Sequence, residues 1–195
     1  CIGIAMFGSI PANRYVSRLT AEPGEMIAVS GTIGNGALGL DVRQGKLDID
    51  TASNQWLSDR YRIPQPLQTY AAIVREFASA SMDISDGLLG DLTKLCSASH
   101  VGATIERNQI PISNAVGAAV NVDPELWERI LDGGDDYEIL FTVPSDRFEL
   151  CRKTARQMDA AITAIGKTHA GPAGKVTLQL DGNPVPVNAS SWSHF

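Results

Sequence analysis

Cysteine, aromatic side chains and net positive charge are all scarce in this chain of 195 residues. The three cysteines, Cys1, Cys96 and Cys151, form an odd set without metal-ligand spacing. That leaves no basis for a disulfide framework and points to free thiols in a reducing cytosol. Cys96 and Cys151 fall on the apolar faces of predicted helices, where they are expected to pack in the core. The formal net charge is −6 and the isoelectric point is near 5.0. A partner with a nucleic-acid backbone calls for a basic face, so DNA and RNA are not expected. A nucleotide stays open, because magnesium can bridge acidic side chains to phosphates. No apolar run approaches the ~20 residues of a membrane-spanning helix, and no basic-then-apolar leader opens the sequence. The expectation is a cytoplasmic protein without a membrane partner. His100, His169 and His194 share no ligand spacing, and no Ser/His/Asp or Cys/His arrangement nominates a catalytic nucleophile.

What is present is a globular composition, 44% hydrophobic and 19% charged, able to bury a core. The length suits one domain plus part of a second. Residues 2–7 read as a buried strand, and with Cys1 in first place they imply a natural start upstream. Met26–Gly31 reads as a second strand, and a Gly-rich turn then leads into a short helix from about Ala37. A helical stretch is expected around Asn54–Tyr61 and an amphipathic helix over Leu67–Ser79, where Tyr70, Ile73, Val74 and Phe77 recur at helical spacing. Ser81–Ser85 is a short strand, and Asp86 is placed to cap the helix carrying Leu88, Leu92, Leu95 and Cys96. A strand at 101–106, a helix at 113–120 and a helix from Asp123 follow. Alternation from Tyr137 to Val143 predicts a half-buried strand. A helix through Phe148, Cys151, Ala155 and Met158 comes next, then strands at Ile162–Lys167 and Val176–Leu180. Strands and helices mix without strict βαβ alternation, which predicts an α+β fold with a mixed sheet.

Three segments carry candidate chemistry. In Asp83-Ile84-Ser85-Asp86-Gly87, two carboxylates straddle a strand-to-helix junction. They can converge on a hard cation such as Mg²⁺, while a helix N-terminus suits a phosphate. The plainer reading makes Asp86 an N-cap and Asp83 a turn residue. In Asp132-Gly133-Gly134-Asp135-Asp136-Tyr137-Glu138, four acids crowd around a Gly-Gly turn. Either cations or donors relieve their repulsion, or they form a solvated turn. Gly34-Asn35-Gly36-Ala37-Leu38-Gly39 is a literal G-x-G-x-x-G. It lacks the second strand and distant acid of a dinucleotide fingerprint, so a tight turn with close helix packing is the reading taken.

Together these pieces resemble thiamine-monophosphate kinases. The resemblance rests on Arg60-Tyr61-Arg62-Ile63-Pro64, on Ala80 to Leu92 around the Asp83–Gly87 motif, and on Gly133-Gly134-Asp135-Asp136-Tyr137-Glu138-Ile139-Leu140-Phe141-Thr142. Arg18 followed by Ala21–Glu25 and Val29–Gly34 resembles the family's hinge, and Trp192-Ser193-His194-Phe195 its aromatic tail. The likeness implies the C-terminal portion of an enzyme in the aminoimidazole ribonucleotide synthetase-like superfamily. Residues 1–20 would be the remnant of an N-terminal ATP-binding domain and 21–195 the C-terminal domain.

The implied reaction passes the γ-phosphate of ATP to thiamine monophosphate, giving thiamine diphosphate and ADP. Magnesium is the implied cofactor, and the parent is expected to dimerise through its N-terminal domain. The resemblance makes Asp83 and Asp86 magnesium ligands, Arg18 and Ser85 ATP contacts, and Asp135 and Trp192 substrate contacts. Trp192 would stack on the thiazolium by cation–π attraction, with Phe195 as second choice and packing on its own domain as the alternative. Asp135 stands where the family usually has Glu, one methylene longer, and Gly34-Asn35-Gly36 replaces a Gly-Asp-Ser type of turn. Without its N-terminal domain the chain is expected to be weakly active or inactive alone. Two alternatives stay open: another ATP-dependent member of hydrogenase-maturation or selenophosphate-synthetase type, or a non-catalytic ATP- or metal-binding module.

Overall fold

In the computed structural model, which describes residues 3–5, 7–11, 14–65 and 68–186, short strands alternate irregularly with helices around one mixed sheet. The chain runs through β1 (Met26–Ser30), α1 (Asn35–Arg43), α2 (Thr51–Arg62), α3 (Tyr70–Phe77), β2 (Ala80–Ile84), α4 (Leu88–Ala98) and β3 (Gly102–Glu106). It continues through α5 (Asn114–Val122), α6 (Leu126–Asp132), β4 (Glu138–Val143), α7 (Phe148–Gln157), β5 (Ile162–His169), β6 (Val176–Leu180) and β7 (Asn183–Pro184). The strand order is β2-β4-β1-β5-β3-β6-β7. Every neighbouring pair is antiparallel except β3 and β6. This is the α+β fold with a mixed sheet that the sequence predicts. None of its helices is long and apolar enough to cross a membrane, among the described residues.

Helices cover both faces of the sheet. On one face, Leu38, Leu57, Leu92, Val116 and Ile130, from α1, α2, α4, α5 and α6, pack with Ile27, Val29, Ile84, Leu140 and Ile105. On the other, Ile73 and Phe77 of α3 and Phe148, Cys151 and Ala155 of α7 pack with Ala28, Phe141 and Val143. Strand alternation explains the division, since successive side chains point to opposite faces. Cys96 and Cys151 are buried free thiols, as expected, and burial pushes them up to about 12 and about 11.

Two expectations need correction. Tyr137–Val143 is not half-buried: β4 lies between β2 and β1, and Leu140, Phe141 and Val143 are fully buried because both faces are covered. Tyr137 precedes the strand and is exposed. Residues 3–5 and 7, read as buried strand, form none, and Ile4 and Phe7 are 83% and 99% exposed. An apolar run becomes a strand only where a ladder partner exists. Among the described residues the first sheet contact is instead the bridge of Ser17 to Ala80.

The Gly-rich turn behaves as read. A Cβ on Gly39 would lie 2.3 Å from the carbonyl oxygen of Leu57, so the glycine is what lets α1 press on α2. Helix α2 starts earlier than read, at Thr51, because the Asp50 side chain caps it by accepting from Ser53 N at 2.9 Å.

Phe141, on the interior strand β4, fills the core between the sheet and helices α3 and α7. Phe141→Ala should cost about 3–5 kcal/mol, read as a lower denaturant midpoint with an unchanged slope.

Candidate functional site

The ends of β2, α1 and α6 meet the entry to β4 around a cavity of about 310 Å³. Ala37 and Leu40 of α1 line it, with Ser85 and Asp86 after β2, Arg129 and Asp132 of α6, and Gly133, Gly134, Asp135 and Tyr137 before β4. The two motifs read as candidates are therefore parts of one wall. Backbone bonds clamp them together: Asp135 N donates to Ser85 O at 3.0 Å and Tyr137 N to Ile84 O at 2.9 Å.

Asp136 secures this junction from below. Its buried carboxylate accepts from Gly34 N at 2.7 Å and from Gly36 N at 2.9 Å. The G-x-G-x-x-G turn thus spends these amides on a protein carboxylate and not on a phosphate. A Cβ on Gly36 would sit 2.4 Å from the backbone carbon of Asp135, so only glycine fits there. On either side of Asp136, Asp135 and Tyr137 hold left-handed backbone at φ 68 and φ 54. Such residues cost on the order of 1–3 kcal/mol each unless their surroundings impose them. The Asp136 clasp and the bonds to Ser85 and Ile84 do so here.

The four acids thus divide. Asp136 is held by amides. Glu138 is buried, accepts from Ser30 Oγ at 2.5 Å and faces Arg60 at 3.4 Å. Only Asp132 and Asp135 reach the cavity. The crowding is relieved by donors for one pair and by exposure to the cavity for the other. Burial pushes Asp136 up to about 7 despite the two amide bonds. Burial also raises Glu138, against the pull of Ser30 and Arg60, and raises Asp132, with Glu128 adding repulsion. The Tyr137 hydroxyl donates to Asp135 Oδ1 at 3.0 Å, a bond that raises its own pKa.

Asp86 does not cap α4. The N-cap is Gly87, without a side-chain cap bond, and Lys94 draws the Asp86 carboxylate away at 2.5 Å. The amides at this helix start are served from inside the helix. Buried Asp91 accepts from Ser85 N at 3.0 Å and Asp86 N at 2.9 Å, and from Lys94 at 2.9 Å. The sequence reading passed over Asp91, Lys94 and Asp136. An acid and a lysine at i and i+3 signal the first two, whereas nothing local signals the bond of Asp136 to a turn 102 residues away. Arg129 on the cavity wall is held by Asp41 at 2.9 and 3.2 Å, a contact between helices without a sequence signature.

Ser85, Asp86 and Asp135 are thus brought together. Asp83 lies outside the cavity, exposed on β2 opposite Ile139 and on the α3/α7 face by strand alternation. Arg18 is exposed beside Ser17, which bridges the far end of β2, about 16 Å of strand away from Ser85. Trp192 and Phe195 lie outside the described residues. Among the described residues no three His, Cys, Asp or Glu side chains group closely enough to hold a metal. The carboxylates of Asp86, Asp132 and Asp135 on this wall suit Mg²⁺, which takes one or two carboxylates and completes its shell with water and phosphate. They do not form an all-protein cage.

The family described as AIR synthase related protein, C-terminal domain, matches residues 22–179. The chain belongs to that family. A thiamine-monophosphate kinase of Salmonella typhimurium is 34% identical over 193 residues, covering 98% of this chain and 59% of its own length. One from Caulobacter vibrioides is 32% identical over 197 residues, covering 99% and 54%. The chain thus spans less than two thirds of these relatives. Among solved structures, thiamine-monophosphate kinase from Stenotrophomonas maltophilia superposes with TM-score 0.78 at 31% identity, over 90% of this chain and 56% of that one. AaThiL complexed with AMPPCP and TMP gives 0.76 at 30%, over 92% and 54%. E. coli HypE gives 0.76 at 21%, over 95% and 56%, and shares the fold alone.

A buried acid whose folded pKa is raised holds its proton longer when folded than when unfolded. Between about pH 4 and 7 the folded state then binds more protons, and stability falls as pH rises. Asp136→Asn should flatten that part of the stability–pH curve, measured by urea unfolding across the range. Asp91→Ala strips the partner from two amides and Lys94, and should cost about 2–4 kcal/mol in the same assay.

Proposed function

We propose that this chain forms part of the ATP and magnesium site of a kinase that converts thiamine monophosphate to thiamine diphosphate. The observation that carries the reading is the convergence of Ser85, Asp86 and Asp135 on one cavity. Phosphoryl transfer asks mainly for positioning and charge neutralisation, without a covalent nucleophile. The wall suits that demand. Among the described residues no hydrogen bond holds the Ser85 side chain, so its hydroxyl is available to a phosphate. Asp135 and Tyr137 are set in place by the backbone junction beneath them. The similarity to thiamine-monophosphate kinases over nearly the whole chain, and to AaThiL complexed with AMPPCP and TMP, supports ATP and thiamine monophosphate as the substrates.

In this reading Asp83 and Asp86 are the magnesium ligands, Arg18 and Ser85 contact ATP, and Asp135 and Trp192 contact thiamine monophosphate. Magnesium, when bound, supplies the charge that neutralises the phosphates. Asp83 and Arg18 stand outside the cavity of this chain, so their roles require a site that extends past it. Residues 1–20 are assigned to the end of a preceding ATP-binding domain and 21–195 to the C-terminal domain. That division accords with the share of its relatives' length the chain spans. Dimerisation through the preceding domain belongs to the same proposal, as does a cytoplasmic setting, for which the buried free thiols speak.

The test is the complete gene product with ATP, Mg²⁺ and thiamine monophosphate, with thiamine diphosphate and ADP quantified by chromatography. Product should form, and Asp86→Asn or Asp83→Asn should lower kcat/KM by at least ~100-fold. Absence of thiamine diphosphate would sink the substrate assignment, and full activity in either variant would sink that residue's metal role.

A further inference from the structure

Lys94 pairs with a carboxylate of the cavity wall, and its two partners differ in kind. Its ammonium donates to Asp86 Oδ2 at 2.5 Å and to Asp91 Oδ1 at 2.9 Å. The Asp91 side chain is 1% exposed, and its other oxygen is committed to the amides of Ser85 and Asp86. A buried carboxylate left without its cation is costly, so this bond is an anchor. The Asp86 side chain is 34% exposed and belongs to the cavity wall. An ion pair open to water is worth little, so this bond is releasable. The lysine stem is flexible and its ammonium is a compact point charge with three donors. The cation that lines the cavity itself, Arg129, is held by Asp41. Lys94 thus balances Asp86, the wall carboxylate it touches.

We infer that Lys94 is a resident counter-cation for Asp86, one that yields this carboxylate to a divalent metal while staying tied to Asp91. The inference rests on the reading of Asp86 as a metal ligand. An ammonium at 2.5 Å from Asp86 Oδ2 competes by like-charge repulsion with a hard cation that would approach the same carboxylate at about 2.0–2.1 Å. Lys94 then does two things. Without metal it keeps the wall from repelling itself. With metal it is a released donor, still held beside the cavity, that can turn to a phosphate oxygen. Its presence lowers the intrinsic metal affinity of Asp86 and so favours metal that arrives with a nucleotide.

Mn²⁺ binding to the 195-residue chain, read from the free-ion paramagnetic resonance signal, tests this. Lys94→Met should bind Mn²⁺ about three- to tenfold more tightly than the wild type, as removal of a competing ion pair and one positive charge demands. Lys94→Arg should stay near the wild type, and Asp86→Asn should lose the site. Equal or weaker binding by Lys94→Met overturns the counter-cation role, while loss in Asp86→Asn would still uphold Asp86 as a ligand. Wild-type binding in Asp86→Asn overturns the ligand reading itself, and no Mn²⁺ binding to any of these chains overturns the inference. A second measurement does not depend on the variant's folding. In the wild type, the Lys94 side-chain nitrogen resonance should shift during a Mg²⁺ titration with the midpoint of binding, and a stationary resonance overturns the exchange.

Discussion

The carboxylate of Asp136 holds the site together. It closes on the amides of Gly34 and Gly36 and so ties the β1–α1 turn to the entry of β4, two segments on one side of the sheet. Everything on the cavity wall hangs from that junction. Asp135 and Tyr137 adopt left-handed backbone on either side of it, and their amides meet the end of β2. Helix α1 begins at the clasped turn and brings Ala37 and Leu40 to the cavity. A carboxylate this buried is normally a liability. Two short amide bonds offset part of that cost, and burial still pushes its pKa up to about 7.

A second clasp works in the same way on the β2–α4 junction. Asp91, one turn into α4, reaches back to the amides of Ser85 and Asp86. Both clasps use an aspartate to gather backbone donors of the kind a phosphate takes, and both leave a neighbouring aspartate, Asp135 or Asp86, at the cavity. At these two junctions the aspartates therefore come in pairs, one spent on structure and one turned toward the site. A glycine-rich turn and a helix N-terminus that look like phosphate cradles serve here as the footing for carboxylates.

The larger frame was legible because its signals are local. Periodic apolar positions placed α3, α4 and α7, and β-rich runs placed β1, β2, β5 and β6. Failures came where a partner decides. The alternation at Tyr137–Val143 fits a strand with one wet face, yet the layer of α1, α2, α4, α5 and α6 covers the Leu140 face that would be wet. The apolar residues around Ile4 read as strand, but an exposed run without a ladder neighbour has nothing to pair with. Asp86 has the residue type and position of a helix cap, and an ammonium eight residues on outcompetes that role.

Sequence by itself determined the α+β class, the order of the elements, and the two acidic motifs with their resemblance to a kinase family. It could not say which acid does what. In Asp132-Gly133-Gly134-Asp135-Asp136-Tyr137-Glu138 the same residue type recurs, and composition treats its members alike. Tertiary structure separates them, because a carboxylate's fate depends on what faces it: amides from Gly34 and Gly36 for Asp136, Ser30 and Arg60 for Glu138, open cavity for Asp132 and Asp135. Those partners lie far away along the chain, 100 residues off for Gly36 and 108 for Ser30. Only folding brings them within hydrogen-bonding reach, where burial makes each bond count.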